Sequence, residues 1–332
     1  MSEIHYSVVG IGNAIVDVIG HCEENFLLRH NAVKGHMRIV DASTVSNLYS
    51  EMGPAIEISG GSAANTMVGI SSFGGRAAFI GKIADDEFGR IFKHDIISAG
   101  VTFKSRPTLG EIPTSRSLIL VTPDGERTMN TFLGISTQLD NGDIDRDLIQ
   151  ASEVLYLEGY LFDQPEAKKA FFEALKLANK ASTKVALTLS DSFCVDRHRE
   201  EFLKLIQSGV DILFANESEI TALYETEDFE VAAQKAASNI PLAVLTRSAK
   251  GSVILCKDRS YRINVEPVSK VIDTTGAGDL YAAGFLYGLT SGRDLETSGR
   301  LGSLAAAEII SHIGARPQKD YNELAFKKRI IT

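Results

Sequence analysis

Cysteine is scarce in this chain. Its 332 residues hold three, Cys22, Cys194 and Cys256, far apart and odd in number. No CxxC pair and no Cys/His spacing of metal-ligand type occurs, so there is neither a disulfide framework nor a zinc site to read. Reduced, buried thiols of the cytosolic kind are the expectation. No apolar run approaches the ~20 residues of a membrane span, and Met1-Ser2-Glu3-Ile4-His5-Tyr6 lacks the basic-then-apolar pattern of a secretory signal. A cytoplasmic protein without a membrane partner is expected. Basic charge is also in deficit: the net charge is −9 and the sequence pI about 5.4. No Lys/Arg cluster interleaved with aromatics appears, which argues against a nucleic-acid partner. The seven histidines are scattered, without an HExxH or a pair at ligand spacing, and none is assigned chemistry. Two nucleotide motifs begin and fail. Gly10-Ile11-Gly12 has Ile15 where the third glycine of a dinucleotide fingerprint belongs, and Gly81-Lys82 is followed by Ile83 instead of the Ser or Thr of a P-loop.

What is present is an ordinary globular composition, 44% apolar and 23% charged. The length suffices for one large α/β domain, or a large domain with a smaller one. Residues 4–12 read as a buried strand and 13–58 as a mixed segment with strand-like pieces such as Met37-Arg38-Ile39-Val40. A helix over 63–73, a strand over 77–80 and a helix over 87–99 follow. Two strands, 115–121 and 127–132, flank the turn residues Thr122-Pro123-Asp124-Gly125-Glu126. This hairpin stands apart from the rhythm around it and reads as a small accessory sheet. From 153 onward strands (154–157, 184–189, 210–215, 242–246) alternate with helices (165–178, 199–207, across 217–239). A strand pair across 253–265 and helices over 277–290 and 295–312 close the chain. Such alternation predicts a mostly parallel sheet covered on both faces, with ligands at the carboxyl ends of its strands.

Asp273-Thr274-Thr275-Gly276-Ala277-Gly278-Asp279 runs straight into the apolar helix segment. The small residues Gly276, Ala277 and Gly278 let backbone N–H groups converge at a helix N-terminus, which suits a phosphate. Asp279 beside such a cradle makes sense if it accepts a proton from an attacking hydroxyl; alternatively it is a simple N-terminal charge. Asn13 and Asp17 follow the first strand, and a carboxylate in the apolar stretch 14–19 is either a hydroxyl acceptor for a sugar or a turn residue. Gly60-Gly61 with Asn65 is either a close-approach site for a ligand or a plain strand–helix joint. Asn216 and Glu219 share a face of a first helical turn. They fit a phosphate contact and a water-mediated Mg²⁺ contact, a capping box, or both. Thr246 to Gly251, again after a strand, offers a hydroxyl and a glycine to a nucleotide.

Together these segments resemble the PfkB family, the ribokinase-like kinases of sugars and nucleosides, over nearly the whole chain. Gly60-Gly61 through Gly89, with Gly81 and Asp86, is similar to its N-terminal signature, although Ala84 replaces a common glycine. Asn216 to Glu219 is similar to its NxxE motif, and Asp273 to Asp279 to its DTxGAGD signature. Ser248 stands where many members have glycine. The resemblance implies a single ribokinase-like α/β unit over 1–332, with a large central, mostly parallel sheet flanked by helices. A small β lid would come from parts of 13–58 and 106–135. It further implies Asp279 as general base, Gly276, Ala277 and Gly278 as anion hole, and Asp17, Gly61 and Asn65 as holders of substrate hydroxyls. Asn216, Glu219, Thr246 and Gly251 would serve ATP and Mg²⁺. A monovalent cation, K⁺ in many members, would rest near Asp273 and Thr275.

Within the family the chain most resembles adenosine kinases. Gly12-Asn13-Ala14-Ile15-Val16-Asp17, Leu187 to Phe193 and Val210 to Glu217 are similar to their GNPLLD, NLSAPF and VDILFGNE stretches. Arg127 lines up with a lid arginine that neutralises phosphoryl charge. Phe132, Leu133, Tyr160 and Leu161 either flank a nucleobase or belong to the core. The implied reaction is phosphorylation of the 5′-hydroxyl of adenosine or a related ribonucleoside. The alternatives are a sugar acceptor (ribose, fructose, 2-keto-3-deoxygluconate) and a non-catalytic nucleoside-binding protein. The family allows a monomer or a homodimer paired through the lid.

Overall fold

The structure, a computed structural model, describes residues 6–257 and 259–331. The chain opens with β1 (Tyr6–Ile11), β2 (Ile15–His21), β3 (Met37–Ile39) and β4 (Ala55–Gly60). After β5 (Ala77–Ile80) and β6 (Thr102–Phe103) come the hairpin strands β7 (Ser115–Val121) and β8 (Arg127–Phe132). Next are β9 (Ser152–Glu158), β10 (Lys184–Thr188), β11 (Ile212–Asn216), β12 (Leu242–Thr246), β13 (Ser252–Cys256) and β14 (Arg259–Ile263). Nine of them form one sheet in the order β14-β13-β12-β11-β10-β9-β1-β5-β6, parallel except for the antiparallel β12–β13 and β13–β14 pairs. Its inner strands read as near-continuous apolar runs because both faces are covered. Val8 packs into the core on one face, and its neighbours Val9 and Ile11 into the core on the other. The strand order reverses at β1, with β9 on one side and β5 on the other. A crevice opens beyond the carboxyl end of β1, the place where such sheets hold ligands.

The remaining five strands form a second sheet, β3-β8-β7-β2-β4. Period-two alternation divides its side chains. Val16, Val18, Leu118 and Leu120 turn to a core shared with Phe26, Leu27, Val45 and Leu48 from the helices Glu24–Arg29 and Ala42–Glu51. The other face carries Asp17, opposite Ser117, which in turn lies opposite Thr131.

The segment 13–58, expected to be mixed, is thus organised as β2, two helices, β3 and β4. Asp17 is a mid-strand residue and not a turn, because its pleat position faces the crevice while Val16 and Val18 fill the core. The helix expected over 199–207 spans Ser192–Gln207. Asp191 caps it, and a break at His198 (φ −127°, ψ 25°) hides the continuity in the sequence pattern. Residues 4 and 5 of the first expected strand lie outside the described residues.

The crevice is fixed from behind by glycine contacts between helices. The helices Ala277–Thr290 and Leu295–Ile309 approach so closely that a Cβ on Gly284 would lie 2.4 Å from the Leu301 carbonyl oxygen, and one on Gly302 would lie 2.7 Å from that of Tyr281. A Cβ on Gly69, in the helix Ser62–Ser72, would lie 2.6 Å from Ala283 Cβ. Gly284→Ala must push backbone, not a flexible side-chain tip, and is expected to cost about 1–3 kcal/mol. Calorimetry reads this as a lower Tm; an unchanged Tm would show that the helices have room to part.

Candidate active site

The helix Ser62–Ser72 starts at Gly61, whose φ of +95° and whose would-be Cβ, 2.2 Å from the Asn13 carbonyl oxygen, allow no side chain. At Gly60 a Cβ would come within 2.4 Å of Asp17 Oδ2, so the first glycine of the pair makes room for that carboxylate. Opposite, the helix Ala277–Thr290 starts at Gly276 in the left-handed conformation (φ +78°). Beyond the Gly278 Cα lies open space, free for a ligand to approach the backbone. The first turns of the two helices meet at Asp279. Ser62 Oγ donates to its Oδ1 at 2.6 Å and Asn65 Nδ2 to its Oδ2 at 2.9 Å. Thr66 Oγ1 donates to its carbonyl oxygen at 3.1 Å. Asn65 Oδ1 is buried without a partner.

These groups line a cleft of about 410 Å³. The second sheet contributes Ile15, Asp17, Ser117, Met129 and Thr131. Gly61, Asn65 and the loop 274–279 lie between, and Asn216, Glu219 and Thr246 line the wall formed by β11 and β12. Of the candidates from sequence, Asp17, Gly61, Asn65, Asn216, Glu219, Thr246, Thr275, Gly276, Ala277, Gly278 and Asp279 are brought together here.

Others are not. Asn13 is buried and braces Glu158, to which its Nδ2 donates at 2.6 Å and its backbone N–H at 3.2 Å, and it does not line the cleft. Gly251 serves a turn, with φ +81° and the Ile263 carbonyl oxygen 2.1 Å from a would-be Cβ, and is not part of the cleft wall. Leu161 is core, Phe132 packs against the core, and Leu133 uses its carbonyl to hold Ser115 and Ser136; only Tyr160 of that group reaches the cleft. Asn216 and Glu219 do form a capping box. Both Glu219 oxygens accept from Asn216, its backbone N–H at 3.0 Å and its Nδ2 at 2.6 Å.

Arg127 and Asp273 meet beside the 274–279 loop. Arg127 Nη1 is ion-paired with Asp273 Oδ2 and donates to Thr275 Oγ1 at 2.9 Å. The two residues expected beside a monovalent cation, Asp273 and Thr275, therefore each face a guanidinium through a side-chain oxygen. Arg127 Nε and Nη2 are buried and unpartnered.

Burial dominates the electrostatics. It raises the Asp279 carboxyl above the usual range, against the pull of the Ser62 and Asn65 hydrogen bonds and the Arg316 charge. It raises Asp17 to about 6, opposed by Arg316 and Arg127 and reinforced by Asp279. No donor among the described residues bonds the Asp17 carboxylate, so it is open to a ligand. Burial also lifts Glu158 and Glu219 to about 7 each. Glu158 additionally accepts from the Ala63 N–H at 2.8 Å, tying the end of β9 to the start of the Ser62–Ser72 helix.

Three participants escaped the sequence reading. Ser62 was legible, since it sits three before Asn65 on the same turn. Glu158 gave a faint signal as a lone acid closing the apolar run 154–157. Arg316 gave none. It lies in an irregular segment, yet its guanidinium donates to the Ser59 and Ala64 carbonyls at 2.6 and 3.0 Å and to Ser59 Oγ at 2.8 Å. It sets one positive charge among Asp17, Asp95 and Asp279, and burial lowers its own pKa to about 10.

The profile of the pfkB family carbohydrate kinases matches residues 50–320. The chain belongs to this family. It is a phosphotransferase with an alcohol acceptor, and its two-sheet α/β architecture is the ribokinase-like one. A solved structure named an adenosine kinase from Sinorhizobium meliloti is 51% identical, with TM-score 0.90, over 97% of this chain and 99% of that one. A probable sugar kinase from Rhizobium etli is 47% identical, with TM-score 0.92, over 99% and 100%. An uncharacterized sugar kinase of Archaeoglobus fulgidus is 32% identical over 75% of this chain and 97% of its own length.

In this kinase Arg316 favours the ionised forms of Asp17 and Asp279. Arg316→Gln removes that charge, so both carboxyls are expected to titrate at higher pH. Carbon NMR of labelled aspartates checks this; unmoved midpoints in a folded variant would show that the guanidinium exerts no field at the site.

Proposed function

We propose that the kinase transfers the γ-phosphoryl group of ATP to the 5′-hydroxyl of adenosine or a closely related ribonucleoside. The observation that carries the reading is Asp279, a raised carboxylate held by Ser62 and Asn65 at the mouth of a small-residue helix N-terminus. As the acceptor oxygen attacks phosphorus, Asp279 takes its proton. The N–H groups of the loop through Gly276, Ala277 and Gly278 receive the charge growing on the transferred group. Arg127, ion-paired with Asp273 beside that loop, keeps a positive charge next to it without lining the cleft. Asp17 accepts from the ribose hydroxyls, and Asn65 Oδ1 supplies a second acceptor.

Mg²⁺ carried in with ATP would offset the charge of the phosphate oxygens. The residues fit such an ion as a water-mediated neighbour. Each Glu219 oxygen already accepts from Asn216, but a carboxylate oxygen keeps a second lone pair for a water. Thr246, on the same wall, offers a hydroxyl to the nucleotide. The second sheet acts as a lid whose closure excludes water, a competing acceptor.

Two observations support a nucleoside over a phosphorylated sugar. The lid face of the cleft presents Ile15 and Met129 beside Ser117 and Thr131, with no Lys or Arg among the lining residues described. The half-identical Sinorhizobium relative is named an adenosine kinase.

ADP release from Mg-ATP, measured against adenosine, inosine, guanosine, ribose, fructose and 2-keto-3-deoxygluconate, tests the acceptor. Adenosine is expected to give the highest kcat/KM. Preference for a sugar would overturn the acceptor assignment, and tight adenosine binding without ADP release would overturn catalysis. Asp279→Asn is expected to lower kcat by about a hundredfold or more with the fold intact. Because Asp279 works ionised and burial raises its pKa, kcat/KM should fall on acidification at a pH above the ordinary aspartate range. A flat acid limb would remove Asp279 from the base role.

A further inference from the structure

Asp273 is a buried carboxylate that the protein cannot leave uncompensated. Its side chain is 4% exposed and accepts the Thr275 N–H at 3.0 Å and the Gly314 N–H at 2.9 Å. These bonds knit the segment before the anion loop to the 310–316 segment that ends in Arg316. Beside these two neutral donors the carboxylate also takes a charged one. In this chain the cation is covalent. Arg127 opens β8, its side chain is 10% exposed, and its Nη1 meets both Asp273 Oδ2 and Thr275 Oγ1.

A K⁺ ion held by Asp273 and Thr275, the residues that the family resemblance gives it, would share the Asp273 carboxylate with the guanidinium. Two positive charges side by side in so buried a place repel. The residues present therefore do not fit a free monovalent cation while Arg127 is docked. From this disagreement we infer that Arg127 is a positioning residue that replaces the monovalent cation of the anion loop, so that loop geometry and nucleotide binding in this kinase are independent of K⁺. The charge that completes the loop is carried on the second sheet instead of being drawn from solvent. The inference rests on the kinase reading of the loop but not on the identity of the acceptor alcohol.

Removing the side chain should uncover the site. Arg127→Ala leaves Asp273 and Thr275 facing a space that a small cation can enter, whereas Arg127→Lys keeps an ammonium there. The test measures Tm and the Kd of a non-hydrolysable ATP analogue in equal concentrations of KCl, guanidinium chloride and tetramethylammonium chloride, the last being too large to enter. For the unmodified enzyme and Arg127→Lys, KCl and tetramethylammonium chloride should give the same Kd and Tm. For Arg127→Ala, K⁺ or dilute guanidinium should tighten nucleotide binding by about tenfold, the scale of one charge-assisted contact, and raise Tm. A K⁺ response in the unmodified enzyme overturns the inference. So does a folded Arg127→Ala variant that ignores both cations. If Arg127→Ala does not fold, the unmodified enzyme and Arg127→Lys decide by themselves, since K⁺ sensitivity in either contradicts a resident cation. No acceptor is present in these measurements, so failure here and failure of the adenosine assignment are separate results.

Discussion

Two helix N-termini converge on the cleft, and the Asp279 carboxylate is what lets them meet. Each end carries the partial positive charge of unsatisfied N–H groups, and two such ends brought together repel. Asp279 belongs to the first turn of one helix and accepts from Ser62 and Asn65 on the first turn of the other. A negative group shared between the two ends turns a repulsive junction into a cohesive one. The rest of the site follows from that junction. The Ser62–Ser72 helix is held from below by Glu158 through Ala63, and from the side by Gly69 against Ala283. The Ala277–Thr290 helix is held by the glycine contacts at Gly284 and Gly302. Displacing either helix would disturb the carboxylate and the anion loop together.

The junction also explains why so many acids sit close together. Asp17, Glu158, Glu219 and Asp279 are all raised by burial, and Asp279 adds a further upward push to each of the other three. Uncompensated, such a group would exist largely protonated and hold nothing. Compensation is divided by task. Glu158 and Glu219 take N–H donors and work as braces. Asp279 takes two side-chain donors and the field of Arg316. Asp17 has no donor, only the fields of Arg316 and Arg127, and is therefore the carboxylate with most to gain from a ligand's hydroxyls. The paired glycines Gly60 and Gly61 belong to the same arrangement, one clearing space for Asp17 and the other permitting the turn that starts the Ser62–Ser72 helix.

How much of this was legible in the sequence depends on whether a feature is local. The anion loop, the glycine pair and the capping box are written in consecutive residues, so their positions and types could be read directly. The βα alternation after 153 was equally plain, because parallel strands buried on both faces are apolar runs punctuated by turn residues. β2 was not, since Asp17 interrupts its apolar pattern at the position that faces the cleft. Nor was the partnership of Arg127 with Asp273, 146 positions apart in sequence, which exists only because the second sheet folds over the end of the first. Arg316 was invisible for the same reason: its partners Ser59, Ala64 and the three acids around it come from other elements. The role of Asn13 as a donor to the buried Glu158 was equally hidden, because the two are 145 positions apart.

The division between local and non-local features maps onto the division between reaction and acceptor. A phosphoryl group presents the same charge to every kinase, so the residues that receive it can be a short contiguous stretch. The opposite face of the cleft, by contrast, is assembled from alternate residues of β2, β7 and β8. Each such residue is flanked by core-facing neighbours whose identity says nothing about the ligand. Ser117, Met129 and Thr131 line the cleft while Leu118 and Leu120 fill the core, and Asp279 accepts from the first turn of the neighbouring helix. The cleft thus has two kinds of wall: the contiguous 274–279 loop carried by the helix junction, and the alternate residues of a sheet whose other face is core.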